Sequence, residues 1–499
     1  MRHGPHTAQR TARRRLHDSK EETLVHLEDL HRSTCHAGPH HADPRLATLS
    51  APQSAGSSGE ILDVVGVGFG PSNLALAIAI AEHNARGAGE PLTARFVERQ
   101  PRFGWHRGML IEDATMQVSY LKDLVTLRSP TSPFSFLCYL HDHGRLVDFI
   151  NYGSSFPTRV EFHDYLEWAA SAFTAQVDYG TDVTGIAPVD GDGTGQCLEV
   201  ATRRLDGRTA RLRARNVVLA TGLRPHLPEG VSTGRRIWHS CDLLAKVATL
   251  TAPERLTVVG AGQSAAEAVD YLHRTFPDAE VCAVFARYGY SPADDTSFAN
   301  RVFDPSAVDA FFHAPGKVKD MILDYHANTN YSVVDPQLID ELYRRHYREK
   351  VSGRERLRFH KVSRIADAVE VNGRIELAVE SMLDSSREVL TTDLVVYATG
   401  YRTGDPCHLL GDLAGACCRG TNGQLEISRD YRIITDDAIT AGIYVQGATE
   451  HSHGLSSTLL SNIAVRAGEI VASIDARREA PARDLAPARA IAPPAGDRP

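Results

Sequence analysis

Two glycine-rich turns carry the clearest chemistry in this 499-residue chain. The first runs Gly66-x-Gly68-x-Gly70-Pro71-Ser72-Asn73 and separates an apolar run from a helical pattern that begins at Leu74. Read from Gly66, the first glycine gives a tight turn, and Gly68 lets backbone approach a pyrophosphate held at the helix N-terminus. Pro71 then stands where a third glycine is usual, a place proline tolerates because the first helical turn has no use for its N–H. The next apolar run, Ala94–Glu98, ends in an acid 32 residues beyond Gly66. A carboxylate there accepts the hydroxyls of an adenosine ribose, which points to FAD. The second turn, Gly260-x-Gly262-Gln263-Ser264-Ala265, is followed by the run Ala279–Ala286 and then by Arg287. Ala265 still permits close helix–strand packing. A guanidinium in place of the acid suits a 2′-phosphate, held bidentately, and hence NADPH.

The surrounding elements repeat. Short Val/Ile/Leu runs ending in glycine (Ile61–Gly66, Asn216–Gly222, Leu256–Gly260, Leu394–Gly400, Ile443–Gly447) alternate with helical patterns such as Ser264–Thr275 and Thr458–Asp475. Continuous apolar runs of this length suit parallel strands covered on both faces. Asp63-Val-Val-Gly-Val-Gly echoes Thr257-Val-Val-Gly-Ala-Gly, and Ala220-Thr-Gly echoes Ala398-Thr-Gly, as two nucleotide-binding units in one chain would. The expected fold class is therefore α/β with two Rossmann-like dinucleotide-binding domains.

Composition narrows the function. The net charge is -8, from 54 Lys plus Arg against 62 Asp plus Glu, so a general nucleic-acid partner is not expected. The most apolar stretch, Ile61–Ala81, is broken by Asp63, three glycines and Pro71, which argues against a membrane span. None of the eight cysteines forms a C-x-x-C pair, which excludes a dithiol-type disulfide reductase and a zinc ribbon, and no metal is expected. A flavin monooxygenase needs no catalytic cysteine, because the reduced flavin itself activates oxygen. Residues 1–59 hold eight of the 23 histidines and read as a disordered extension, with a second disordered tail over 476–499.

The remaining motifs are, in order, Gly68-Phe-Gly-Pro-Ser-Asn73, Trp105-His106-Arg-Gly-Met109, Met116-Gln117-Val-Ser-Tyr-Leu-Lys122-Asp-Leu124, Ser132-Pro-Phe-Ser-Phe136, Pro292-Ala-Asp-Asp295, Asn328-Thr-Asn-Tyr-Ser332, Ala398-Thr-Gly-Tyr401 and His453-Gly-Leu-Ser456 with Leu459-Leu-Ser461. As an ordered set over residues 60–475 they resemble the microbial amine N-hydroxylases, the L-ornithine N5- and L-lysine N6-monooxygenases among the class B flavin monooxygenases.

The resemblance implies an FAD domain over 60–235 and 394–475, an NADPH domain over 236–297 and 342–393, and a helical substrate insert over 298–341. It implies that Gly66, Gly68, Gly70, Pro71, Asn73, Glu98, Trp105, His106, Gln117, Val183 and Thr458, Leu459, Leu460 and Ser461 hold FAD. Gly260, Gly262, Gln263, Ser264, Ala265, Arg287 and Asn330 would hold the nicotinamide nucleotide. Lys122, Asn300, Asn330, Ser461 and Gln117 would form the amino-acid pocket, with Lys122 and Asn330 as its catalytic members. The implied reaction uses FAD, NADPH and molecular oxygen to hydroxylate the terminal amine of L-ornithine through a C4a-hydroperoxyflavin. It would serve hydroxamate siderophore or related biosynthesis in a cytoplasmic homotetramer. The residue chemistry is consistent: a cation such as Lys122 answers an α-carboxylate, and asparagines offer donor and acceptor without charge. L-Lysine or a diamine as substrate, and an uncoupled NADPH flavin oxidase, are the alternative readings.

Overall fold

A computed structural model describes residues 60–87, 89–190, 196–329 and 331–479. The extension expected over 1–59 and all but the start of the tail expected from 476 lie outside these residues; the last helix continues to Glu479. In chain order, β1 (Ile61–Val67), α1 (Pro71–Ala85), β2 (Ala94–Glu98), α2 (Arg159–Ser171), β3 (Val177–Tyr179), β4 (Thr181–Asp190), β5 (Gln196–Arg204) and β6 (Thr209–Leu219) open the first unit. After β7 (Leu223–Pro225), the second unit contains β8 (Ile237–His239), β9 (Arg255–Val259), α3 (Gln263–Thr275) and β10 (Glu280–Phe285). Helices α4 (Pro305–His313), α5 (Gly316–His326) and α6 (Pro336–Ser352) precede β11 (Leu357–Lys361), β12 (Ser363–Val371), β13 (Arg374–Ser381), β14 (Arg387–Thr392) and β15 (Leu394–Tyr397). The chain then returns through β16 (Tyr401–Thr403) and β17 (Gly442–Val445) to helix α7 (Ile463–Glu479).

Two sheets with parallel cores result. The first has the order β3-β2-β1-β6-β5-β4, with β17 beside the C-terminal half of β6. β1, β2, β3, β6 and β17 run parallel, and β4–β5–β6 is an antiparallel meander. The second sheet is β11-β10-β9-β15-β8, parallel throughout. The apolar runs read from the sequence are the buried parallel strands, for the reason expected: helices or strands cover both faces. On one face of the first sheet α1 packs along α7 over an aromatic core that includes Phe134, Phe136, Phe162 and Tyr165. β7 and β16 form a two-stranded antiparallel ribbon where the chain passes between the units.

Two expected boundaries shift. Leu394–Tyr397, expected in the FAD domain, is β15, and its hydrogen bonds place it between the central strand β9 and the edge strand β8 of the second sheet. The insert expected over 298–341 is helical as far as His326, but α6 begins inside it and packs on α3 and β11 of the second unit.

Candidate functional site

Hydrogen bonding sets the register of the two glycine turns. Ala220 N donates to Val67 O at 2.9 Å, and Ala398 N donates to Val259 O at 2.8 Å. Each Ala-Thr-Gly echo is thus the end of the strand that supports its own turn. Val67 is equivalent to Val259, so Gly68-x-Gly70 matches Gly260-x-Gly262, and both helices begin one residue later, at Pro71 and Gln263. This corrects the sequence reading by two residues. Gly66 lies within β1, Pro71 is the first residue of α1, and the third position is Asn73 in one turn and Ala265 in the other. A third glycine at spacing two made the register ambiguous. Gly68, at φ +84°, packs so tightly that a Cβ would sit 2.4 Å from Ala220 O. Gly260, at φ +142°, meets Ala398 O at the same distance.

A cleft of about 560 Å³ opens over the C-terminal ends of β1, β2, β6 and β17, where ligands of doubly wound sheets bind. Gly68, Gly70 and Pro71 form its floor. A Cβ on Gly70 would meet nothing within 4 Å, and no side chain caps α1. The N-terminus of α1 is therefore an open anion seat with free backbone donors. Glu98, buried at the end of β2, accepts from Phe69 N at 2.7 Å and Gln100 N at 2.8 Å, and its carboxylate lines the cleft. Val183, at an irregularity in the β4–β5 register, lines the same wall. Trp105, His106 and Tyr401 close one end, the His106 ring lying 4.5 Å from Trp105 and 6.0 Å from Tyr401. His106 takes the left-handed conformation at φ 51°. The residue is exposed towards the cleft. Desolvation by the protein around the ring first, then repulsion from Arg159 and His163, lowers its pKa to about 4. Thr458, Leu459 and Leu460 cover the opposite side, while Ser461 is buried behind them and outside the cleft lining.

The sequence reading missed the network beneath this floor. Asn73 donates to Gly68 O at 2.7 Å and accepts from Gln446 Nε2 at 3.0 Å. Arg466, only 2% exposed, donates to Ser457 O at 2.7 Å, and to Gln446 Oε1 and Ser72 Oγ at 3.4 Å. All three acceptors are uncharged, and burial lowers the arginine's pKa. The network ties the α1 turn to the covering segment 457–460. The one sequence signal was the apolar context of Arg466 within α7.

The second turn is filled by its own chain. Gln263, expected to bind a nucleotide, donates its Nε2 to Glu267 Oε1 at 2.9 Å and accepts at Oε1 from Asp335 N at 2.8 Å, so its side chain is a bridge. Ser264 follows it in the first turn of α3, and Ala265 is fully buried against β9 and β10. Arg287 lies two residues beyond β10 and donates to Ser332 O at 2.9 Å. Because Val97 and Val284 occupy equivalent places, the position matching Glu98 is Phe285, which is buried and apolar.

The expected amino-acid residues are brought together in part. Lys122 is half-buried with its Nζ 5.6 Å above the Phe303 ring; burial lowers its pKa and Asp304 opposes this. Phe303 ends the turn Ala299–Phe303, which packs on the covering turn Leu455–Thr458. Asn300 lies in that turn, its amide donating to Asp295 O at 2.7 Å. Gln117 is exposed and outside the cleft lining. Asn330 lies outside the described residues. The insert is fastened to the FAD half by Arg429–Asp309 at 2.6 Å, by Phe312 against His453 at 5.3 Å and by the Tyr331–Glu450 hydrogen bond. Among the described residues no cluster of His, Cys, Asp or Glu can hold a metal, and no helix is long and apolar enough to cross a membrane.

Both glycine turns, the buried acid that ends β2 and the lysine set against the helical insert lie in a stretch that matches a known family. Residues 60–403 match the family described as L-lysine 6-monooxygenase/L-ornithine 5-monooxygenase. The chain belongs to this family. It is 40% identical over 420 residues to the L-ornithine N(5)-monooxygenase of Pseudomonas aeruginosa, covering 83% of this chain and 93% of that one. The ornithine N-hydroxylase KtzI of Kutzneria sp. 744, solved with reduced FAD, NADP+ and L-ornithine, superposes with a TM-score of 0.81 at 45% identity, over 84% of this chain and all of that one. The L-lysine 6-monooxygenase of Pseudomonas syringae gives 0.72 at 33% identity, over 84% and 100%.

Proposed function

We propose that this family member is an FAD- and NADPH-dependent monooxygenase that hydroxylates the terminal amine of L-ornithine to N5-hydroxyornithine. Greater likeness to the ornithine hydroxylase, 45% identity against 33%, favours ornithine over lysine. The observation that carries the substrate reading is Lys122, a half-buried cation set against the insert's Phe303 beside the covering turn.

The cleft residues fit FAD. The α1 N-terminus would take the diphosphate, Glu98 the ribose hydroxyls through its remaining lone pairs, and Thr458–Leu460 would exclude water from the ring. When bound, the flavin accepts hydride from the nicotinamide and activates oxygen. Arg287 would answer the 2′-phosphate of NADPH, exchanging its bond to Ser332 O. Lys122 would hold the substrate α-carboxylate and leave the side-chain amine to be placed by chain length, where one methylene is worth about 1–3 kcal/mol. A free alkylamine has a pKa of about 10.4, so the rate should rise toward mildly alkaline pH. Asn330 and Asn300 complete the pocket in this reading. A cytoplasmic homotetramer and a role in hydroxamate siderophore or related biosynthesis belong to the same reading, carried by the family resemblance.

The test is hydroxylamine formation and NADPH oxidation measured with ornithine, lysine and putrescine. Ornithine should give product matched to NADPH consumed, and Lys122→Ala should raise the ornithine KM about 100-fold, roughly 3 kcal/mol, while NADPH oxidation continues and releases peroxide. Equal product from putrescine, or an unchanged KM in the variant, contradicts the assignment.

A further inference from the structure

The first residue of α2 and the fifth of α3 form an ion pair across the two units. Arg159 Nη1 and Nη2 donate to Glu267 Oε2 and Oε1 at 2.9 and 2.7 Å, with side-chain exposures of 12% and 4%. Arg159 is fixed twice more by the segment that runs from the cleft wall into the core of the second unit: Nη1 donates to Met109 O at 2.9 Å, and its backbone N donates to Ala114 O at 2.7 Å. Met109 ends the segment whose Trp105 and His106 close the cleft. On the other side, the same Glu267 Oε1 accepts from Gln263, the first residue of the helix behind the second glycine turn. Gln263 in turn accepts from Asp335 N, and Asp335 caps α6 through Gln337 N at 2.8 Å. The other interdomain ion pair nearby, Arg274–Asp113, is solvent-exposed and contributes little.

A buried ion pair is a poor device for stability, because apolar residues of equal volume serve as well or better. Its distinctive property is geometry: a bidentate fork fixes both distance and angle. Here the fork joins the wall of the flavin cleft to the turn for the second nucleotide.

We propose that Glu267, held by Arg159, is a positioning residue that sets the second nucleotide turn at the distance and angle to the flavin cleft needed for hydride transfer. This rests on the two-nucleotide function proposed above. Without the fork, the α3 N-terminus loses the group that orients Gln263, and the nicotinamide half turns relative to the FAD half. Hydride transfer is sensitive to such misplacement, since displacements of about 1 Å cost about 100-fold in rate.

The experiment separates the half-reactions of the FAD-loaded enzyme. Glu267→Gln and Arg159→Lys are reduced anaerobically with saturating NADPH, then reoxidised with oxygen and ornithine. Thermal unfolding and flavin content are recorded in parallel. Flavin reduction should slow at least tenfold in Glu267→Gln and by less in Arg159→Lys. Reoxidation rate and flavin content should stay within twofold of the parent, and dithionite should still reduce the flavin fully. A parent-like reduction rate in either variant overturns the proposal, as does an equal fall in both half-reactions that follows the loss of stability. If Glu267→Gln does not fold, Arg159→Lys alone decides by the same criteria. Failure of NADPH to reduce the parent enzyme would instead contradict the proposed function.

Discussion

The two glycine turns share one backbone plan and differ in what fills them. In the first, the third position is Asn73, locked through Gln446 and Arg466 into a buried network, and the turn faces an open cleft. In the second, the third position is a small Ala265, and Gln263 and Arg287 are already hydrogen-bonded to the chain's own segment 332–335. A turn braced from beneath and open above suits a nucleotide that stays. A turn whose polar groups are satisfied without ligand loses little when its nucleotide leaves, which suits one that must exchange every cycle. Under the proposed function, the same motif would serve retention in one half and turnover in the other.

Alanine at the first glycine of one turn and the second of the other has the largest expected effect, because only the first position, Gly68 and its match Gly260, abuts a carbonyl at 2.4 Å. Gly68→Ala forces a side chain onto positive φ and into Ala220 O, at a cost of about 3 kcal/mol with loss of bound flavin. At Gly262 the backbone is extended and a Cβ would meet Ser332 at an ordinary 3.4 Å, so Gly262→Ala should cost under about 1 kcal/mol. Denaturant unfolding and flavin content check both, and equal losses would contradict this steric reading of the two positions.

Acid should act first on the FAD half. Burial pushes His163 down to about 4 and His453 to about 3, against an ordinary value near 6.5. Between those values the unfolded chain binds protons that the folded chain refuses. Stability therefore falls as pH drops from about 6.5 towards 4, by up to about 1.4 kcal/mol per pH unit for each ring, and is flat above about pH 7. Flavin fluorescence and unfolding followed against pH should show this slope, reduced in His453→Gln.

Two smaller effects should divide by half. Arg466→Met should weaken FAD binding roughly tenfold, about 1.4 kcal/mol, with the NADPH KM unchanged, in a flavin titration beside steady-state kinetics. Arg287→Gln should do the reverse. The NADPH KM should rise roughly tenfold, the NADH KM should stay the same, and FAD affinity should be unaffected.

Much of this was legible in the sequence because its signals are local. Apolar runs of four to seven residues mark the parallel strands, and the acid that ends β2 lines the cleft, whereas Arg287 stands two residues past the end of β10. The register of the first turn was not legible, since Gly66, Gly68 and Gly70 fit the spacing in two ways and only the bond from Ala220 to Val67 decides. The bond from Asp335 to Gln263 was not legible either, because the two lie 72 residues apart. The Asn73–Gln446 bond spans 373 residues and the Arg159–Glu267 pair 108, and pairings at such separations leave no periodic trace in one chain. β15 was assigned to the wrong sheet for a related reason: an apolar strand announces its burial but not its neighbours.

The most direct test of the central claim is one anaerobic mixing experiment on the parent protein carrying FAD. NADPH should bleach the flavin far faster than NADH, and admitting oxygen with ornithine should restore the colour with one N5-hydroxyornithine formed per flavin reoxidised. A flavin that NADPH leaves oxidised, or that reoxidises without forming the hydroxylamine, would contradict the account.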